Sequence, residues 1–163
     1  MVAPLNEIVK TVKIDARKSY KAFASDVEDL EKLKTEVSSR NDKLKARADE
    51  HYALWEQELQ SISNPTLKQQ SSERRAKVMA QFRTLQESVD GLRIAFRPYL
   101  DDLKDLVVYL GTDLNPGGVS AADSMITGLK AQAVGVQNEL KKVTAQITTL
   151  RSEMAVQQPQ TQQ

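Results

Sequence analysis

An unbroken alternation of three- and four-residue steps between apolar residues constrains the fold of this chain more than any other feature. Residues three and four apart lie on one face of an α-helix, so each patterned segment is predicted to be a long helix with one continuous apolar seam. Such a seam is buried by packing against other helices. The seam of the second segment is Val78, Phe82, Leu85, Val89, Leu92, Phe96, Tyr99, Leu103, Leu106 and Leu110, and that of the third is Ile126, Leu129, Ala133, Val136, Leu140, Val143, Ile147, Leu150 and Met154.

Turn signals separate these segments. Pro4 is the first signal, and Ser63-Asn64-Pro65 is the second. Asn64 suits the N-cap of the following helix, and Pro65 suits its first position, where a backbone N–H would have no partner within the helix.

The third turn signal is the glycine-rich stretch Gly111–Gly118. Either Asn115-Pro116 or Ser120 with Asp123 can start the helix that follows it. We therefore predict an all-α chain with helices over about 5–62, 66–110 and 119–155, followed by a disordered polar tail at about 157–163.

The first predicted helix is the longest, since no Pro or Gly occurs between Leu5 and Ile62. Lys34, Asn41 and His51 interrupt its seam. Its apolar seam positions are Phe23, Val27, Leu30, Val37, Leu44, Ala48, Trp55 and Ile62. Short turns favour antiparallel neighbours, so residues 1–156 are predicted to form one elongated, coiled-coil-like rod, an up-down-up antiparallel three-helix bundle.

Charge supports this antiparallel order. The end of the first helix is acidic and the start of the second is basic, so a turn at Asn64 brings opposite charges together. The acidic residues are Asp49, Glu50, Glu56 and Glu58, and the basic ones are Lys68, Arg74, Arg75 and Lys77.

Composition excludes several classes of function. The 163 residues carry a net charge of +1, whereas a general nucleic-acid-binding protein carries a clear basic excess. There is no Cys, which excludes thiol catalysis, thiolate metal sites and disulfides. No apolar run approaches the roughly 18 residues of a membrane span.

The sequence contains no recognisable catalytic, cofactor-binding or metal-binding motif. Its single His, His51, has no Glu-x-x-His partner pattern and is predicted to be a partly buried residue that tunes packing. Asn41 is interpreted as a residue that sets the register of the helices. Gly117-Gly118 lacks the Lys-Ser/Thr of a phosphate-binding loop and is predicted to be a turn. We therefore expect a protein that is not an enzyme, with no cofactor and no small-molecule substrate.

Pro98 lies inside the second seam and removes one hydrogen bond of the helix. Its most direct consequence is a kink that curves the helix around its partners. A ligand site between helices near Pro98 would make the protein a small-molecule carrier, which is kept as one alternative.

Two surfaces are candidates for interactions. Basic residues alternate with apolar ones near the N-terminus, a pattern that can lie on an anionic membrane surface; they are Lys10, Lys13, Arg17, Lys18 and Lys21. The outer side of the third helix is small and uncharged, which suits close approach of another helix. We call it the outer strip, and it comprises Ser124, Thr127, Gly128, Ala131, Val134 and Gly135.

The stretch from Trp55 to Gly118 resembles a bacterial family. It contains the phrases WEQEL (55–59), ISNPTLKQQSSERRAK (62–77), FRPYLDDLKDL (96–106) and YLGTDLNPGG (109–118). These segments resemble the domain-of-unknown-function family twenty-nine fifty-nine. Family members usually begin with a signal peptide, often of lipoprotein type, so the resemblance implies a periplasmic or otherwise extracytoplasmic location. Residues 1–10 contain no signal-peptide core, and whether a signal or anchor precedes Val2 in the natural gene is left open.

The leading hypothesis is a non-enzymatic structural or interaction module of the bacterial cell envelope, acting on a protein partner or on a second copy of the chain. The first alternative is a peripheral protein that binds membrane surfaces through its basic N-terminal segment. The second alternative is the small-molecule carrier. No nucleic-acid partner is expected.

Overall fold

The computed structural model describes residues 16–155, and these residues form helices joined by short connections, without any strand. The helices are α1 (Ala16–Ser61), α2 (Pro65–Thr112), α3 (Pro116–Ala121) and α4 (Asp123–Ala155). The protein is therefore all-helical, as the apolar periodicity predicts. In the described range α1 has 46 residues and α2 has 48, and the predicted start of the first helix near residue 5 lies outside that range.

The second turn has the capping geometry that the sequence predicts. The Asn64 side-chain oxygen accepts hydrogen bonds from the backbone N–H groups of Thr66 at 3.0 Å and Leu67 at 3.2 Å. Pro65 is the first residue of α2. The cap satisfies two donors that have no partner within the helix and so fixes where α2 begins.

The third turn uses the Asn115-Pro116 start signal for a short helix, and a second, long helix begins without the Ser120 cap. The Asn115 side chain accepts a hydrogen bond from the Gly118 N–H at 2.9 Å and caps the six-residue helix α3, which begins at Pro116. The long helix α4 then begins at Asp123. Ser120 lies inside α3, so it does not cap α4. The segment predicted as one helix from about residue 119 thus contains the end of a short helix and a long one.

The chain divides into two compact units. The first comprises the described residues of Met1–Val37 and Leu92–Glu139, and the second comprises the described residues of Ser38–Gly91 and Leu140–Gln163. Each long helix contributes one segment to each unit, and every segment has a buried face.

The first unit is built around one apolar cluster that joins α1, α2, α3 and α4. Leu103, Leu106 and Leu110 are fully buried there, which confirms this part of the seam predicted for α2, and Phe23 of α1 is fully buried beside them. The Tyr20 hydroxyl donates a hydrogen bond to the Val107 carbonyl oxygen at 3.2 Å. The buried cluster is Phe23, Val27, Tyr99, Leu100, Leu103, Leu106, Leu110, Val119, Ala122, Ile126, Leu129 and Ala133.

The described part of the second unit has fewer buried apolar residues than that of the first. In its described part, the buried apolar residues are Tyr52, Leu59, Val78, Leu85 and Val143. The rings of Tyr52 and Phe82 make an edge-to-face contact with centroids 6.1 Å apart.

Contacts between α1 and α2 in the second unit run in antiparallel order. Asn41 of α1 donates to Gln86 of α2 at 3.2 Å, and Trp55, fourteen residues further along α1, donates to Ser71 of α2 at 3.0 Å. The predicted charge pairing near the turn is found for Glu56 and Arg75, which lie 3.0 Å apart.

Several predicted seam positions are wrong. In α1, Val37, Leu44 and His51 are exposed, whereas Tyr52 and Leu59 are buried. In the second half of α4, the predicted seam residues Leu140, Ile147 and Met154 are exposed. There the partly buried positions are Glu139, Gln146, Leu150 and Glu153.

The error in both helices is one of phase. Three- and four-residue steps can be ordered in two ways, and the two orders select adjacent lines of residues on one helix. In α1 the buried line runs through Asn41, Ala48, Tyr52, Trp55 and Leu59 rather than through Leu44 and His51. In α4 the partly buried line ends at Glu153 rather than at Met154. Glu153 forms an ion pair with Lys77 of α2 at 2.9 Å.

Candidate functional site

No group of three or more His, Asp or Glu side chains within residues 16–155 could hold a metal ion. The candidate surfaces are the outer strip of α4 and the basic N-terminal segment.

The outer strip of α4 is exposed along its whole length in the first unit. Ser124, Thr127, Gly128, Ala131, Val134 and Gly135 are all exposed. Val134 keeps 57% of its surface in solvent, although it is a large apolar residue. A Cβ atom built on Gly128 or Gly135 would meet nothing within 4 Å, so neither glycine is needed for packing within a single chain.

The outer strip lies away from the face of α4 that is buried. Ile126, Leu129 and Ala133 occupy that buried face in the apolar cluster of the first unit. The strip residues follow the same helical spacing but are displaced by about half a turn, so the cluster and the strip lie on opposite sides of the helix. Helix geometry thus presents the strip to solvent as a continuous uncharged surface.

The basic N-terminal segment is described only in part. Arg17, Lys18 and Lys21 are exposed on the first turns of α1, while Lys10 and Lys13 lie outside the described residues. The segment is anchored by Phe23, which is fully buried. Arg17, Lys18 and Lys21 therefore lie on the solvent side of a helix whose other side is held in the core.

His51 does not occupy the position that the sequence predicts. The prediction of a partly buried residue is wrong, because His51 is exposed on α1. Its ring lies against those of Tyr52 and Trp55, with centroids 5.9 Å and 5.7 Å away. Tyr52 takes the buried position instead, and its backbone carbonyl oxygen accepts hydrogen bonds from Nε and Nη2 of Arg75, both at 3.2 Å. Burial raises the pKa of the Tyr52 phenol above its ordinary value.

Asn41 is buried, with 8% of its surface exposed. Its side-chain amide donates to the Gln86 side-chain oxygen. The buried Nε2 of Gln86 and Oε1 of Gln81 have no hydrogen-bond partner. The Asn41–Gln86 pair is therefore a polar layer between α1 and α2 within the second unit. The proposed role of Asn41 in setting register stays a prediction.

Ion pairs between helices lie at the surface of both units. In the first, Lys104 of α2 contacts Glu31 of α1 at 2.6 Å. The hydrogen bond from Lys104 lowers the pKa of Glu31, and the hydrogen bond to Glu31 raises the pKa of Lys104. In the second unit, the hydrogen bond from Lys77 likewise lowers the pKa of Glu153. These exposed pairs align the helices and contribute little to stability.

Pro98 lies within an uninterrupted α2 and is exposed. The residues that follow it, Tyr99, Leu100 and Leu103, are almost completely buried in the apolar cluster. The helix therefore presents the proline to solvent and its apolar side chains to the core.

Sequence reasoning missed two exposed stripes that carry both apolar and charged residues. On α1 we define the basic stripe as Leu44, Arg47, His51 and Leu54, and on α2 we define the acidic stripe as Pro98, Asp101, Asp105 and Val108; all eight residues are exposed. Both stripes have the three-four spacing that revealed the seams, so the same search on the charged side of each helix would have found them.

No helix described between residues 16 and 155 combines the length and the apolar content that crossing a membrane requires. Comparison with protein families gives a match over residues 2–154 to the model of a family described as "Protein of unknown function (DUF2959)". Neither the curated proteins nor the solved structures contain a match.

Proposed function

We propose a structural or interaction role in the bacterial cell envelope for this chain, which belongs to the DUF2959 family of proteins of unknown function. In this proposal the three long helices form an elongated, up-down-up antiparallel bundle, and the bundle presents helix faces to a partner. The role is not enzymatic and requires no cofactor.

The antiparallel order of the helix contacts supports the proposed bundle. In the second unit the α1–α2 hydrogen bonds pair Asn41 with Gln86 and Trp55 with Ser71. In the first unit Tyr20 contacts Val107, and Glu31 contacts Lys104, which comes earlier on α2. In each unit, residue numbers thus rise on one helix as they fall on the other.

The single observation that carries the interaction role is the exposure of the outer strip of α4. Gly128 and Gly135 weaken a helix by about 1 kcal/mol each relative to Ala, and the structure of one chain gives no packing reason for them. Glycine allows another backbone to approach closely, and an uncharged strip loses little hydration when it is covered. A helix of a protein partner fits such a surface.

The experiment introduces charge into the outer strip. Ala131→Glu together with Val134→Glu should abolish crosslinking of the protein to its partner in the native bacterium. The matched control is Ala76→Glu together with Leu67→Glu, which adds the same charge at exposed positions of α2. Leu67 is 56% exposed, close to the value for Val134. If the strip variant and the control crosslink equally well, the strip is not the binding surface.

The envelope location rests on the family resemblance and has its own test. Fractionation of the native bacterium should recover the full-length gene product outside the cytoplasm. Recovery in the cytoplasmic fraction would remove the envelope from the proposal and leave the interaction role in place.

A second candidate function is binding to an anionic membrane surface through the basic N-terminal segment. The exposure of Arg17, Lys18 and Lys21 on one end of α1 favours it. The attraction would be electrostatic, so binding to anionic vesicles should be strong at low salt and weaker at high salt. Arg17→Ala with Lys21→Ala should reduce co-sedimentation with these vesicles. Failure of the unaltered protein to co-sediment at low salt contradicts this function.

A further inference from the structure

The basic stripe of α1 and the acidic stripe of α2 have the same residue spacing. Leu44, Arg47, His51 and Leu54 are separated by steps of three, four and three residues, and Pro98, Asp101, Asp105 and Val108 follow the same steps. Two α-helices with identical spacing place the corresponding side chains at identical heights and angles around their axes. The two stripes can therefore be aligned residue by residue when the helices are parallel.

Their chemistry is complementary in this alignment. Each stripe has an apolar residue at both ends, and its two central residues are basic on α1 and acidic on α2. The aligned pairs are Leu44 with Pro98, Arg47 with Asp101, His51 with Asp105, and Leu54 with Val108. Arg and Asp form strong charge-assisted hydrogen bonds, and an imidazole N–H can donate to a carboxylate.

The apolar ends are unusually exposed for residues of their type. Val108 keeps 70% of its surface in solvent and Leu54 keeps 58%. Covering both stripes would remove this apolar surface from water, which is favourable. The Arg97–Asp101 contact on the acidic stripe is a weak competitor. Its atoms are 4.0 Å apart, and both side chains are more than half exposed.

We propose that the basic stripe of one copy of this chain packs in parallel on the acidic stripe of a second copy. Each copy carries both stripes, so either stripe can receive a second copy. One contact of this size is small compared with the area of a stable protein interface, and charged residues form its centre. The association is therefore expected to be weak and to weaken further as salt is added. This inference deepens the proposed interaction role, but it uses helix faces other than the outer strip.

The test uses two charge reversals in the full chain, Arg47→Asp and Asp101→Arg. Arg47→Asp places a carboxylate opposite Asp101 of the second copy, and Asp101→Arg places a guanidinium opposite Arg47. Each variant alone should therefore lose at least about tenfold in self-association, since like charges face one another. In an equimolar mixture, every contact between unlike copies regains an Arg–Asp pair, so the mixture should associate as the unaltered chain does.

Sedimentation equilibrium at low ionic strength measures the self-association of the unaltered chain, of each variant and of their equimolar mixture over the same range of concentrations. The control is Arg83→Asp, which makes the same charge change at an exposed position outside both stripes and should leave the association unaltered. Circular dichroism checks that every variant keeps its helix content. The proposal is overturned if the unaltered chain stays monomeric at all concentrations, if neither reversal weakens association, or if mixing fails to restore it. None of these results bears on the outer strip, whose own variants test partner binding separately.

Discussion

Replacing Gly128 and Gly135 of α4 by Ala should stabilise the protein. Both glycines lie in the interior of a long helix and are exposed. A Cβ atom at either position meets no other atom within 4 Å, and no glycine within residues 16–155 has a positive φ. Neither a clash nor backbone strain therefore opposes the substitution.

The expected magnitude follows from helix propensity. Ala is favoured over Gly by about 1 kcal/mol in a helix interior. The two sites are seven residues apart, or roughly 10 Å along the axis, so their effects should add to about 2 kcal/mol. For a chain of this length, that gain corresponds to a rise in Tm of roughly 4–8 °C.

Gly118→Ala is the contrasting control, because it changes the same two residue types at a packed position. A Cβ atom on Gly118 would overlap the backbone carbonyl oxygen of Asp113 and lie 2.8 Å from Cγ of that residue. The connection between α2 and α3 would have to move, and overpacking of this kind costs about 1–3 kcal/mol. Its Tm should therefore fall.

Thermal and urea denaturation followed by far-ultraviolet circular dichroism measure all three proteins. A double variant no more stable than the unaltered protein would refute the claim that the outer strip is free of contacts in the single chain. A Gly118→Ala variant of unchanged stability would refute the described packing of Gly118 on Asp113.

Three further predictions concern the core, the polar layer and an ion pair. Leu103→Ala should cost about 2–5 kcal/mol in urea denaturation, since Leu103 is fully buried in the apolar cluster; a cost below 1 kcal/mol would contradict that burial. Asn41→Leu should destabilise the protein by about 1–3 kcal/mol because Gln86 loses its hydrogen-bond donor. Adding Gln86→Leu should recover most of that loss. Additive losses from the two substitutions would argue against a shared polar layer. Glu31 has a lowered pKa, so its contribution to stability is present above the ordinary carboxylate pKa and is lost as the pH falls through the lowered pKa of the folded state. Lys104→Ala should raise the pKa of Glu31 in a side-chain NMR titration. An unchanged pKa would show that the Glu31–Lys104 pair does not form in solution.

The sequence predicted the faces of α2 well and those of α1 poorly, for a physical reason. In α2 the apolar line from Val78 to Leu110 has no competitor, and every member is buried or half-buried. In α1 two adjacent lines contain apolar residues, one through Leu44 and Leu54 and one through Tyr52 and Leu59. Periodicity alone does not choose between adjacent lines, because a helix drifts by about 20° per heptad relative to a strict seven-residue repeat.

Contacts with α2 choose the buried line of α1. The carbonyl oxygen of Tyr52 accepts from Arg75, and Asn41 donates to Gln86. These contacts depend on residues far apart in the sequence, so they are not visible in the pattern of one helix. His51, one residue from the buried line, became exposed as a result. His51→Ala should accordingly change stability by less than about 0.5 kcal/mol, as for an ordinary surface position.

The sequence predicts where the outer strip lies but not which molecule binds to it. The exposure of the outer strip follows from the phase of its helix, since Ile126, Leu129 and Ala133 fix the buried side. The stripes of α1 and α2 were missed because the search followed apolar residues, and charged residues form the centre of each stripe. What binds the outer strip depends on a second molecule, which is not encoded in the periodicity of this chain.

The unequal burial in the two units determines where the native protein opens first. Twelve buried residues form the apolar cluster of the first unit, whereas the buried face of the second includes the Asn41–Gln86 layer. Regions with fewer buried apolar contacts open locally at lower free energy, and their amide hydrogens exchange sooner. Amides of α2 near Gln86 should therefore exchange faster than those near Leu106. Such an opening would expose Tyr52 and Phe82 while the apolar cluster remains folded, creating a transient site for proteases and chaperones in an otherwise native molecule.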